Sequence, residues 1–161
     1  MDFASKILTA DTLPAWRENL RRLGRKLVVT NGCFDILHLG HVTYLQQARQ
    51  QGDALLVGVT SDTNVGKLKG PGRPVNNEQD RAGILAALQS VDGVFIFPEF
   101  DARKFLEAVV PDIYVKGGDY TVDTINQDER RLLDKLGVQI VILSVVPGKS
   151  TTALLEKINR L

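Results

Sequence analysis

His38 and His41 are the only two histidines among 161 residues, and both fall in one short segment, Gly32-Cys33-Phe34-Asp35-Ile36-Leu37-His38-Leu39-Gly40-His41. Side chains three apart share a helix face, so both imidazoles can turn toward one ligand. Two glycines bracketing a turn that feeds a helix leave free amides and a positive helix end facing the same point. That setting favours an anion, most often phosphate. Imidazoles placed there can donate hydrogen bonds to phosphoryl oxygens and stabilise charge that develops in a transition state. A metal site would call for a third ligand or an HExxH frame, and neither accompanies the pair, so no protein-held metal is expected.

Three more segments are compatible with phosphate or nucleotide. Gly66-Lys67-Leu68-Lys69-Gly70-Pro71-Gly72-Arg73-Pro74 packs three glycines, two prolines and three cations into nine residues. It reads as a loop, suited either to a basic lid or to a solvated surface. Lys116-Gly117-Gly118-Asp119-Tyr120 offers a Gly-Gly pair for close ligand approach and an acidic residue that could hold ribose hydroxyls; a plain tight turn explains it equally well. Gly148-Lys149-Ser150-Thr151 invites a Walker A reading, but position 143 is Leu where that motif requires Gly. A Gly turn with free amides and hydroxyls at a helix start remains an anion site, and Ser150 also serves as a cap.

These segments gain meaning from the elements around them. Strands are expected over Lys26–Asn31, Ala54–Thr60, Val94–Phe97, Ile113–Lys116 and Val138–Leu143. Helices are expected over 12–24, 42–51, 78–89, 102–110, 127–136 and from Ser150 to Arg160. On the first helix Leu13, Trp16, Leu20 and Leu23 share a face, and Arg17, Arg21, Arg22 and Arg25 read as a solvated one. Strands alternating with helices predict an α/β fold, a Rossmann-like five-stranded parallel sheet sandwiched by helices, with residues 1–25 as a helical extension packed on one domain spanning 1–161. Ligands of such sheets bind at the carboxyl ends of the strands. All four segments follow strands, so they converge on one edge and outline a triphosphate pocket.

Composition narrows the classes. Lys plus Arg number 20 and Asp plus Glu 19, a net charge of +1 that argues against a surface built to hold nucleic acid or anionic membrane. Apolar runs such as Ala54–Val59 are too short to span a bilayer. With Cys33 the sole cysteine, no intramolecular disulfide can form, which fits a reducing, cytoplasmic setting.

The segment from Gly32 to His41 is similar to the GxFDxxHxGH signature of the cytidylyltransferase-like nucleotidyltransferases, and Ser150-Thr151-Thr152 resembles their second signature. Within that family, residues 30–45, 68–76, 115–120 and 148–152 look like the adenylyltransferase portion of the heptose-biosynthesis enzymes. The resemblance runs from about Lys6 to Ile158. It implies transfer of AMP from ATP to D-glycero-β-D-manno-heptose 1-phosphate, giving ADP-heptose and pyrophosphate for lipopolysaccharide core precursors. Mg²⁺ is expected to accompany ATP. That portion is often fused to a sugar kinase; no kinase segment accompanies it here, so a stand-alone form is expected, and a homo-oligomer, dimer or tetramer.

By the same resemblance, Thr30, Asn31, Gly32, Cys33 and Phe34 place amides on the nucleotide phosphates, with Gly40 beside them. His38 and His41 contact the triphosphate and stabilise the transition state. Lys69 neutralises phosphate charge, with Lys67 a weaker candidate. Asp35 and Arg81 belong to the substrate and phosphate region, Lys116, Gly118 and Asp119 to the nucleoside, and Ser150 and Thr151 to the β- and γ-phosphates. The glycerol-phosphate cytidylyltransferases carry an Arg before the last helix where this chain has Val145-Val146-Pro147-Gly148, which favours adenine. Lys149 receives no role. The alternatives are a cytidylyltransferase acting on a small alcohol phosphate such as glycerol 3-phosphate, and a nucleotide-binding module without chemistry.

Overall fold

A computed structural model describes residues 2–118, 120–144 and 147–161. Six parallel strands form one sheet: β1 (Ile7–Leu8), β2 (Leu27–Gly32), β3 (Ala54–Thr60), β4 (Gly93–Phe97), β5 (Ile113–Gly117) and β6 (Gln139–Leu143), in the order β1-β4-β3-β2-β5-β6. The helices are α1 (Leu13–Arg22), α2 (Leu39–Arg49), α3 (Asp62–Lys69), α4 (Glu78–Ala86), α5 (Arg103–Val109), α6 (Gln127–Lys135) and α7 (Thr151–Ile158).

Central strands are buried on both faces, which is why they read as continuous apolar runs. Every residue of β3 is buried. Leu56 joins the core beneath α1, α5 and α6, and its neighbours Leu55 and Val57 join the core beneath α2 and α4. From β2 the chain builds outward through β3 and β4, then returns to add β5 and β6 on the other side. The two directions part between β2 and β5, so the switch point lies at the carboxyl end of β2. Side chains begin several helices: Asn77 accepts from the Asp80 amide, Asn126 from those of Asp128 and Glu129, and Ser150 from that of Ala153.

Three expectations require correction. The sheet has six strands, because Ile7 and Leu8 pair with Val94 and Phe95 of β4 and put part of the N-terminal stretch into the sheet. Lys6 fixes this edge by donating to the carbonyls of Leu88 and Val91. Gly66–Lys69 is the last turn of α3, not loop; the loop begins at Gly70, and positive φ at Gly70 (+90°) and Gly72 (+77°) reverses the chain there. Arg17 is buried, not solvated: its Nε donates to the Val109 carbonyl and its Nη2 to the Val110 carbonyl and Asp112. These bonds tie α1 to the end of α5.

Candidate active site

A cleft of about 650 Å³ opens at the carboxyl ends of the strands, at the switch point. Its floor is the turn after β2. A side chain on Gly32 would meet the Phe34 ring at 3.0 Å, and Phe34 holds a positive φ of +48° to place that ring against His41, edge-on at 5.5 Å between centroids. The imidazoles of His38 and His41 stack with centroids 3.9 Å apart and planes inclined by 23°. Gly40 makes the stack possible, since a Cβ there would sit 2.9 Å from His38 Nδ1 and 3.1 Å from Lys149 Cβ.

Both imidazoles are held neutral at pH 7. Burial, then the His38 charge, lowers His41 to about 4. Burial, then the Lys149 ammonium, lowers His38. Nδ1 of each ring is buried with no partner among the described residues. Neutral imidazoles of this kind are hydrogen-bond donors, and a polyanion laid beside them raises their affinity for protons.

A second network closes the floor between β2, β5 and α6. The Tyr114 hydroxyl lies 2.6 Å from Asn31 Oδ1 and 3.1 Å from Glu129 Oε2, and Glu129 Oε1 accepts from the Ala102 amide at 3.0 Å. A hydroxyl has one proton, so it cannot donate to two acceptors at once. The consistent assignment turns the Asn31 amide, whose NH₂ then donates to the tyrosine while the tyrosine donates to Glu129. Burial, then the Glu129 charge, holds the Tyr114 hydroxyl well above its ordinary pKa, so it stays a donor. Partly buried Lys116 reaches the Asn31 carbonyl at 3.4 Å and lies 5.6 Å from the ring centres of Tyr114 and Tyr120. Burial lowers its pKa, opposed by Glu129 and Cys33.

The expected site residues divide. Asn31, Gly32, Cys33, Phe34, Asp35, His38, Gly40, His41, Lys69, Lys116, Ser150 and Thr151 all line the cleft. Thr30 is buried, its hydroxyl 2.7 Å from that of Tyr44, so it braces α2 against β2. Lys67 and Gly118 are not part of the wall, and Asp119 lies outside the described residues. Arg81 is corrected: it is 1% exposed and absent from the wall. Its Nε donates to the Asn76 carbonyl, its Nη1 to that of Cys33, and its Nη2 to that of Thr60 and to Asp62. It therefore braces the turn from behind. Asp35 does line the cleft, but its carboxylate is turned to the protein, accepting from Arg73 Nε and the amides of Val75 and Asn76. Sequence reasoning missed Arg73, Tyr114, Glu129 and the position of Lys149 beside His38.

A glycine-bracketed turn, paired imidazoles and a hydroxyl-bearing helix start around one cleft are the layout of an enzyme that works on nucleotide phosphates. Residues 29–156 match the cytidylyltransferase-like family model, and the chain belongs to that family of nucleotidyltransferases. It is 45% identical over 155 residues to the bifunctional protein HldE of Methylobacillus flagellatus, covering 96% of this chain and 31% of that protein. The corresponding protein of Syntrophotalea carbinolica is 44% identical, covering 98% and 32%. The chain thus spans about a third of the length of these relatives. A lipopolysaccharide core biosynthesis protein of Thermoplasma volcanium shares its fold with a TM-score of 0.64 and 31% identity, covering 76% of this chain and 98% of that one.

Proposed function

We propose that the protein transfers AMP from ATP to D-glycero-β-D-manno-heptose 1-phosphate, forming ADP-heptose and pyrophosphate. The observation that carries this reading is the stacked, neutral His38–His41 pair beside the glycine-bracketed turn of β2. The heptose assignment draws its support from the similarity of residues 30–45, 68–76, 115–120 and 148–152 to heptose-biosynthesis adenylyltransferases, together with the identity to the HldE proteins.

An oxygen of the sugar phosphate attacks the α-phosphorus of ATP while the bond to the β-phosphate bridging oxygen breaks. The attacking phosphate is already anionic at neutral pH, so no side chain has to become a nucleophile or remove a proton. Positioning and charge stabilisation remain. Amides of Gly32 to Phe34 would hold the nucleotide phosphates, and His38 and His41 would donate to oxygens gaining charge as the bond breaks. Lys69 and the hydroxyls of Ser150 and Thr151 would receive the leaving pyrophosphate. Among the described residues no group of three or more His, Cys, Asp or Glu side chains converges to hold a metal. This donor set does not fit a resident ion, so Mg²⁺ would arrive on the triphosphate, and no step assigned to these residues runs through it.

The test is pyrophosphate release from each nucleoside triphosphate in turn, with the α and β anomers of heptose 1-phosphate and with glycerol 3-phosphate. The expected result is turnover with ATP and the β anomer. Faster turnover with CTP and glycerol 3-phosphate would replace the reading by a cytidylyltransferase. Nucleotide binding without pyrophosphate release from any pair would leave a binding module.

A further inference from the structure

The arginine that the sequence offers to the substrate, Arg81 on α4, faces backbone carbonyls, but another arginine reaches the cleft from the loop before that helix. Arg73 lines the wall, with its side chain 18% exposed. Its Nε donates to Asp35 Oδ2 at 2.6 Å, and the Asp35 side chain is 1% exposed. The anchor is itself fixed: the Val75 amide donates to Asp35 at 2.9 Å, the Asn76 amide at 2.9 Å, and the Asn76 side chain to the Asp35 carbonyl at 2.7 Å. Among the described residues, neither terminal nitrogen of Arg73 donates to a protein group. A guanidinium held through Nε keeps its two outer nitrogens as a rigid fork, which matches two oxygens of one phosphoryl group.

The reversal at Gly70 and Gly72 delivers Arg73 to Asp35, and the last turn of α3 just before it carries Lys69 into the cleft wall. Asp35 also belongs to the turn between β2 and the histidines. The ion pair thus links a cation of one wall to the floor that carries the His pair. The Arg73 guanidinium and three further bonds to the residue offset the desolvation of the buried Asp35 carboxylate, and together they fix the direction of the Arg73 side chain.

We propose that Arg73, oriented by Asp35, is a phosphate-contacting residue that grips a phosphoryl group of a bound substrate with its two outer nitrogens. Asp35 is then a positioning residue. The assignment rests on the nucleotidyltransferase reading above. Two phosphoryl sources share this chemistry, the ATP polyphosphate and the acceptor's 1-phosphate, and each has its own arm in the test.

Equilibrium titrations of the wild type, Arg73→Ala and Arg73→Lys with MgATP, and separately with heptose 1-phosphate, decide the matter alongside steady-state KM values for both. Arg73→Lys keeps a cation for Asp35 but has no fork. The expected result is a loss of about 10- to 100-fold in affinity for one of the two ligands, as for a charged hydrogen-bonded contact, in Arg73→Ala. Arg73→Lys should restore the melting temperature but not that affinity, and the ligand affected names the source. Affinities and KM values for both ligands within twofold of wild type in Arg73→Lys would overturn the proposal, as would full rescue of binding by lysine. Should wild type bind ATP yet release no pyrophosphate with any acceptor, the enzymatic reading fails while the ATP arm still tests Arg73. Should wild type bind neither ligand, both fall.

Discussion

The depressed basicity of His41 should make the fold sensitive to pH in a defined window. The ring is held near 4 in the folded protein, against 6.5 in an unfolded chain. Between these values the unfolded state binds the extra proton, so stability rises with pH and falls as the solution is acidified from 6.5 toward 4. At 1.36 kcal/mol per pH unit the gap sets a ceiling of about 3 kcal/mol, of which about 2 kcal/mol is lost by pH 5. Asp35 and Asp101, whose carboxyls are held below their usual value, lose their contributions only below about pH 4 and do not interfere. Urea unfolding at pH 7, 6 and 5 of the wild type and of His41→Asn, which cannot charge, isolates the effect. The wild type should lose about 2 kcal/mol more than the variant between pH 7 and pH 5. Parallel curves, or an imidazole of His41 seen by NMR to titrate at 6.5 or above in the free protein, would refute the reasoning.

Two other outcomes follow from the same geometry. Lys149→Gln removes one of the two influences that lower His38, so its NMR titration should move to higher pH; no movement would place the ammonium outside the reach of the ring. Arg81→Ala leaves three backbone carbonyls without their donor, and should cost at least about 3 kcal/mol in urea unfolding, since each buried acceptor stranded without a partner costs about 1–3 kcal/mol; Asp62, 39% exposed, turns to solvent. Near-wild-type stability together with weakened ATP binding would return Arg81 to a substrate role.

The parallel strands were legible because burial on both faces leaves an uninterrupted apolar run, as in Ala54–Thr60. Edge strand β1 was not, since two residues carry no periodicity and acquire strand geometry only from β4. Arg17 carried a signal that went unused: it sits at the i+4 position from Leu13 and three before Leu20, on the buried stripe itself. The layout of the β2–α2 turn was readable because glycines, histidines and order along the chain are all local. The direction of an arginine is not local. Arg73 and Arg81 differ in whether Asp35 or a set of carbonyls receives them, and those partners are 38 to 48 residues away for the bonds to Asp35 and Cys33. Glu129 was hidden for a related reason: a charged residue in the first turn of α6 reads as a favourable dipole partner, and only the fold brings Tyr114 and the Ala102 amide to it.

Helix α7 contributes no buried residue to either core, although the segment leading into it supplies one wall of the cleft. Its hydrogen bond to the β2–α2 turn, from the Thr151 hydroxyl to the Ile36 carbonyl, is 3.3 Å long. An element with so little packing belongs to the low-stability end of the molecule and is expected to open without unfolding the sheet. A ligand that bridges Ser150 and Thr151 to the histidine floor would stand in for the core that α7 lacks. Amide hydrogen exchange along 151–158 would then act as an occupancy gauge, fast in the empty protein and slowed by a bound nucleotide, while the exchange of β2 and β3 stays unchanged.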